Sequence, residues 1–253
     1  MYRPVKSITY SLLSVLVLSP VFMTGTSKRT EPPAEKIVLY IPKDVVRYTA
    51  NPELMPEEAA NVYNSMQLKK LGLTKKAFAC AWKGYTSLVE AGRLAKDGIL
   101  SICDFSQSSR RKRLYVLDIN SQKLLVNTYV AHGRKSGGEY AKSFSNSPES
   151  HKSSLGFYVT RNTYFGEHGL ALKIQGLERG FNDKADARNI VIHGSQYVGK
   201  QFISNNKFNG RSFGCPALPA KEASNVIHQI KNGSCLFIYH PTKNYISQSR
   251  LLN

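Results

Sequence analysis

The sequence predicts a mostly β chain of α+β class, a sandwich or barrel with one packed helix and a helical pair ahead of it. Three observations carry this. From residue 99 onward the apolar period is that of strands, in runs at 99–105, 114–119, 124–132, 155–164, 170–175, 189–193 and 234–240. A single helical pattern interrupts them, opening at Pro219, placing Ala223, Val226, Ile227 and Ile230 on one face and stopping before Gly233. Helices do not alternate with the strands, as they would in a doubly wound sheet.

Along the chain, Arg3 and Lys6 precede an apolar run at residues 12–22, followed by Thr24-Gly25-Thr26-Ser27, the layout of a secretory signal. Residues 1–26 are therefore expected to be a signal peptide, or an uncleaved N-terminal anchor because no A-x-A site is present. No cysteine follows the run, which excludes a lipoprotein anchor. Five prolines within residues 27–56 read as a spacer. Residues 57–98 form the helical subdomain, with one helix over 57–72 and a second opened by Thr74. In that second helix Phe78, Ala81, Trp82, Tyr85 and Val89 share a face expected to pack on the main domain, and Gly92 stops it. The catalytic domain is drawn at 99–245 and a C-terminal tail at 246–253.

Of 253 residues, 35 are basic and 17 acidic, a formal charge of +18, which points to anionic surroundings. The cations are spread along the chain with no zinc-finger spacing, RNA-binding aromatic signature or long basic helix, so no nucleic-acid partner is expected. The membrane is expected to be touched only through the N-terminal segment if that stays uncleaved. Four cysteines are too few for a disulfide-built miniprotein. Export permits a Cys80–Cys103 pairing that ties the helices to the first strand, but connectivity, including that of Cys235, is open at the level of sequence.

The chemistry concentrates in Asn189 to Pro219. The strand Asn-Ile-Val-Ile delivers His193 at its end, and Arg211-Ser212-Phe213-Gly214-Cys215-Pro216 sets a cysteine after a glycine and just ahead of the helix. A thiol there is expected to have a lowered pKa, from turn N–H groups and from the helix N-terminus. His193 would then be its base, and the N–H groups of Gly214 and Cys215 would hold an oxyanion. On spacing alone, a buried inert cysteine and a zinc ligand stay open, although no second close-spaced Cys or His pair supports a metal.

The segment resembles the L,D-transpeptidase catalytic (YkuD-type) family, in its branch ending S-x-G-C-P-A. The likeness extends to Ser101-Ile102-Cys103-Asp104-Phe105-Ser106, Val130-Ala131-His132-Gly133-Arg134, Phe144-Ser145-Asn146, Ser153-Ser154-Leu155-Gly156-Phe157-Tyr158, Tyr164-Phe165-Gly166 and Gly176-Leu177-Glu178. It continues through Asn182-Asp183, Ala185, Arg188, Ile192-His193-Gly194 and Tyr197-Val198, spanning about Leu71 to Tyr239. The resemblance implies an L,D-transpeptidase-like β-sandwich that needs no cofactor or metal and acts, outside the cytoplasm in the periplasm or cell-wall space, on peptidoglycan stem peptides. Cys215 would attack the carbonyl of the third stem residue, release D-alanine, and pass the acyl group to an amine of a neighbouring stem as a 3→3 cross-link. In the family the base's second ring nitrogen is oriented by a backbone carbonyl, so no acidic third member is required.

The commoner family motif is S-H-G-C followed by an apolar residue and Arg or Asn, whereas this chain has Ser212-Phe213-Gly214-Cys215-Pro216-Ala217. Arg211 is therefore a candidate for the substrate carboxylate, with a solvated surface arginine as the alternative. Ser212 joins it as a binding candidate. The resemblance also assigns His132 and Ser153-Ser154-Leu155-Gly156 to binding in the donor cleft; Tyr197, four residues beyond the base, is a candidate to stack on or hydrogen-bond the stem, with core packing as the alternative. Two other readings stay in view: a carboxypeptidase or other hydrolase of the same fold, and a non-catalytic wall-binding module.

Overall fold

The computed structural model describes residues 55–167 and 169–253. The expected signal segment and nearly all of the spacer lie outside the described residues. The chain opens with α1 (Glu57–Ser65) and α2 (Lys75–Glu90), followed by β1 (Ile99–Asp104), β2 (Leu114–Asp118) and β3 (Lys123–Thr128). A 3-10 turn at Arg134–Ser136 precedes β4 (Gly156–Gly166), β5 (Gly169–Gly176) and β6 (Val191–Ser195). Then come α3 (Lys200–Asn206), β7 (Ala217–Pro219), α4 (Ala220–Ile230), β8 (Cys235–Tyr239) and α5 (Lys243–Gln248).

All eight strands join one sheet in the order β3-β2-β1-β8-β4-β5-β6-β7. Its two ends nearly meet. Beyond β3 the chain turns away from β2, and Ala131 pairs with Ala217, its N–H donating to the Ala217 carbonyl at 2.8 Å. The sheet is thus an almost closed barrel, which leaves few open edges. The strand expected over 124–132 ends at Thr128 for this reason: the Val130 carbonyl leaves the ladder and accepts from the buried Arg113 guanidinium at 3.1 and 3.0 Å.

The centre of the sheet is β1 and β8, paired in parallel, in which every residue is buried. Against it packs α2, capped by Thr74 Oγ1, which accepts from Ala77 N at 3.1 Å. Its aromatic face continues a ladder from Tyr63 through Phe78 and Trp82 to Tyr85, with ring centroids 5.4 to 6.0 Å apart. Gly84 lets the helix sit directly on Phe157, since a Cβ there would fall 2.1 Å from the ring. Helical pair and barrel therefore share one core.

The helix expected over 57–72 stops at Ser65. Gln67 takes a left-handed φ of +51°, Leu68 N–H returns to the Tyr63 carbonyl, and residues 66–72 fold as turns. The boundary drawn at 245/246 falls inside α5. Its Tyr245 hydroxyl donates to Glu178 Oε2 at 2.9 Å, and Ser249 Oγ donates to Glu178 Oε1, so the C-terminal residues are tied to the loop after β5. Among the described residues no helix is long and apolar enough to cross a membrane.

Candidate active site

The turn that carries the cysteine is held by its own serine. Ser212 Oγ accepts from Gly214 N–H at 3.0 Å and donates to the Cys215 carbonyl at 2.6 Å. Gly214 has a φ of +135°, and a Cβ there would lie 3.0 Å from both Ile190 Cδ1 and the Lys152 carbonyl. Only glycine meets both demands. Straps reach the turn from the chain beyond β3: Ser212 N–H donates to the His132 carbonyl at 3.0 Å, and Arg134 N–H to the Ser212 carbonyl at 2.7 Å. Ser153 adds a third, its Oγ accepting from Gly133 N–H at 3.0 Å and donating to the Gly214 carbonyl at 3.1 Å.

The Cys215 thiol lies partly exposed against the start of β6. Val191 N–H donates to Sγ at 3.5 Å, and Sγ donates to the Asn189 carbonyl at 3.6 Å. Burial pushes its pKa up, while the Val191 N–H, the Arg188 charge and its own N–H pull it down, and the balance is a raised value. The expected lowering by a helix N-terminus is not met. β7 stands between the thiol and α4, which opens at Ala220, and such fields fall off within a turn. The cation that does act on the sulfur is Arg188. Its guanidinium is half-buried and pinned by the carbonyls of Ser145 at 2.8 Å and Lys152 at 2.6 Å, with Ser150 Oγ and Ser154 Oγ at 3.2 and 3.3 Å.

His193 lies on β6, 4% exposed, paired in register with Ala217 of β7. Val191, whose N–H meets the sulfur, is two residues before His193, and Cys215 is two residues before Ala217, so histidine and cysteine sit on adjoining parallel segments. The His193 Nδ1 stands 3.0 Å from the Gly194 carbonyl. In the neutral ring that contact puts the proton on Nδ1 and the lone pair on Nε2. A Cβ at Gly194 would lie 2.9 Å from Ala223 Cβ, so glycine there lets α4 pack closely on β6.

Other expected site residues fall elsewhere. Gly214 N–H is spent on Ser212 Oγ, which leaves Cys215 N–H as the donor beside the sulfur. The Ser212 hydroxyl is spent inside the turn and the residue is buried, so it shapes the loop rather than facing the cleft. His132 is fully buried. Its Nδ1 lies 2.7 Å from Arg113 Nη2, an obligate donor, so the ring proton sits on Nε2 facing the Gly137 and Gly138 backbone without a bond of good geometry. Burial and Arg113 lower its pKa to about 3. Ser154 is also buried, with its Oγ 2.9 Å from the Tyr158 hydroxyl. His132 and Ser154 are thus each held by a protein partner, Arg113 and Tyr158.

Tyr197 is half-buried against Ala131, Val198 and Ala217, within electrostatic reach of Cys215. Arg211 is exposed, donates to the Gly137 carbonyl at 3.0 Å and stacks over Phe208. Phe213, 62% exposed in the Cys215 turn, carries the Arg134 guanidinium 4.5 Å from its ring centroid and meets His151 edge-on at 4.7 Å. The sequence reading gave no site role to Arg188 or this trio, because their partners are distant in sequence.

All four cysteines are free, so no Cys80–Cys103 bridge forms. Burial raises the Cys80 thiol to about 11 and Cys103 to about 12, and it raises Cys235 further, which sets these inert thiols apart from the partly exposed Cys215. Among the described residues no group of three or more His, Cys, Asp or Glu is placed to hold a metal ion.

Residues 69–239 match the family model of the L,D-transpeptidase catalytic domain. Among solved structures, an L,D-transpeptidase from Mycobacterium smegmatis is similar at 10% identity, over 56% of this chain and 59% of that one, with a TM-score of 0.35. L,D-transpeptidase 3 from Mycobacterium tuberculosis is similar at 9% identity over 56% and 61%, with a TM-score of 0.37. The helical cell shape determining protein Pgp2 from Campylobacter jejuni is similar at 14% identity over 62% and 56%, with a TM-score of 0.38. The chain spans about three fifths of the length of these structures. No curated protein matches the sequence.

Proposed function

The chain belongs to the L,D-transpeptidase catalytic-domain family, and on that premise we propose that it is an exported cysteine acyltransferase acting on peptidoglycan stem peptides. The observation that carries this reading is the placement of Cys215 and His193 on adjoining parallel segments, with the His193 ring turned so that Nε2 holds the lone pair. In the proposed cycle the thiol proton passes to Nε2 and Sγ attacks the carbonyl of the third stem residue. Cys215 N–H stabilises the oxyanion. The tetrahedral intermediate collapses with loss of D-alanine, whose amine takes the proton from the imidazolium, and leaves a thioester on Sγ. An amine of a second stem then attacks the thioester, gives its proton to His193, forms the new amide as a 3→3 cross-link and frees the thiol. Water in place of the amine would make the enzyme a carboxypeptidase.

A raised thiol pKa supports a base-assisted attack over a standing thiolate, so His193 takes the proton as the bond forms. The test is mass spectrometry of a defined tetrapeptide fragment with and without a diamino acceptor. Transfer predicts a product heavier than the donor acyl group by the acceptor, and hydrolysis predicts loss of D-alanine alone. Cys215→Ala must abolish both; full activity in that variant would end the assignment. A non-catalytic wall-binding module would bind sacculi yet form no covalent adduct with a carbapenem-like acylating agent.

A further inference from the structure

Beside the nucleophile's turn, the rim of the site carries a built group that the proposed cycle does not use. Phe213 is two residues before Cys215, and its side chain is 62% exposed. The Arg134 guanidinium lies 4.5 Å over the ring, and His151 closes the other approach edge-on at 4.7 Å. Arg134 Nη2 is also 3.2 Å from His151 Nδ1, so the three side chains fix one another. The Arg134 backbone is bonded to Ser212, which ties this assembly to the segment that positions the thiol.

A large aromatic ring left in water costs free energy unless something covers it. With its Cζ 4.5 Å from the Phe213 centroid, the Arg134 guanidinium is anchored by the ring, and of its five N–H donors only those on Nη2 have a side-chain partner among the described residues. A planar, pre-oriented donor edge suits a carboxylate, which it meets through two parallel hydrogen bonds. Arg211 is less suited. It is held more loosely, its Cζ 5.8 Å from the Phe208 centroid against 4.5 Å for Arg134 over Phe213, and its Nη1 donates to the Gly137 backbone carbonyl. The residue that leaves in the proposed reaction ends in a carboxylate one residue from the scissile bond, and Phe213 is two residues from the attacking sulfur.

Resting on the proposed function, we infer that Phe213 and Arg134 form a subsite for the terminal carboxylate of the donor stem, with Arg134 as the anion's partner and Phe213 as the platform that orients it. This makes Arg134, rather than Arg211, the guanidinium that selects the donor.

The test compares binding of a stem tetrapeptide as its C-terminal acid and as its C-terminal amide to the Cys215→Ala protein, by calorimetry. The acid is expected to bind about 10-fold more tightly, the worth of one charge-assisted pair at an exposed site. Adding Arg134→Ala or Phe213→Ala should erase that preference. Adding Lys135→Ala, which removes a neighbouring exposed charge without touching the stack, should keep it. Equal binding of acid and amide, no binding of either, or a preference that survives Arg134→Ala would overturn the subsite. Turnover by the wild-type chain is read separately. A preference that depends on Arg134 together with no release of D-alanine would leave the subsite standing and reject the transpeptidase reading.

Discussion

Ser212 and Cys215 are joined by a 2.6 Å hydrogen bond from the serine hydroxyl to the cysteine carbonyl, and the same oxygen takes the Gly214 N–H at 3.0 Å. Removing that hydroxyl leaves a buried N–H without a partner. Ser212→Ala should cost about 1–2 kcal/mol of stability. Acylation of Cys215 should slow by about 10- to 100-fold, because a displaced nucleophile loses its attack geometry. Urea unfolding and stopped-flow acylation measure the two effects; an acylation rate equal to wild type would show that the turn does not depend on Ser212.

Arg188 is the cation that acts on the Cys215 sulfur, and it opposes the rise that burial causes. Replacing it with methionine removes the charge, so the thiol should titrate at higher pH than in the wild-type protein. The pH profile of iodoacetamide alkylation, followed with Cys80, Cys103 and Cys235 changed to alanine, should move toward alkaline values. Arg188→Lys keeps a charge and should move less. An unshifted or acid-shifted Arg188→Met profile would contradict this account.

The strand runs and both α2 and α4 were legible in the sequence because each carries a local period and a local stop: Thr74 caps α2, and Gly92 adopts a φ of +61° where it ends. β7 was not, since three residues ending in proline have no period and form a strand only through pairing with β6 and the bridge to Ala131. The site divides in the same way. The motif in the sequence anticipates that Cys215 and His193 lie on adjoining segments, but it does not report that His132 and Ser154 are buried. His132 meets Arg113, 19 residues earlier, and Ser154 meets Tyr158, four residues on, and which way these side chains face is not written in their spacing.

His132 gives the chain an acid-sensitive point. Its folded pKa, lowered to about 3 by burial and the facing Arg113 and Arg211, lies well below the usual histidine value. The unfolded chain therefore binds a proton that the native state refuses, and this group's contribution to stability is lost as pH falls from about 6.5 toward 3, by an amount on the order of a few kcal/mol. His132→Gln keeps an acceptor for Arg113 and does not titrate. The urea midpoint should fall less between pH 7 and pH 4.5 in that variant than in the wild type, and parallel losses would refute the assignment.

Glu178 works in the opposite sense and holds the C-terminal end of the chain. Its carboxylate is buried, accepts from Phe157 N–H at 2.8 Å and Tyr245 hydroxyl at 2.9 Å, and takes the Ser249 hydroxyl on its other oxygen. Burial raises its pKa despite these donors, so the native state binds the proton more tightly than the unfolded chain. Its contribution is then fullest below the ordinary carboxylate range and declines as pH rises through the raised folded value. A neutral isostere should be tolerated at pH 7: Glu178→Gln should change stability by less than about 1 kcal/mol, since the amide oxygen can keep the Phe157 N–H and the Tyr245 hydroxyl while the Ser249 hydroxyl turns to accept from its NH2. Glu178→Ala strands that N–H and frees α5, at a cost of about 2–4 kcal/mol. Hydrogen exchange should show the loss first in residues 243–252, ahead of β4. If the alanine variant exchanged at wild-type rates there while β4 opened, Glu178 would be supporting the sheet and not fastening the helix.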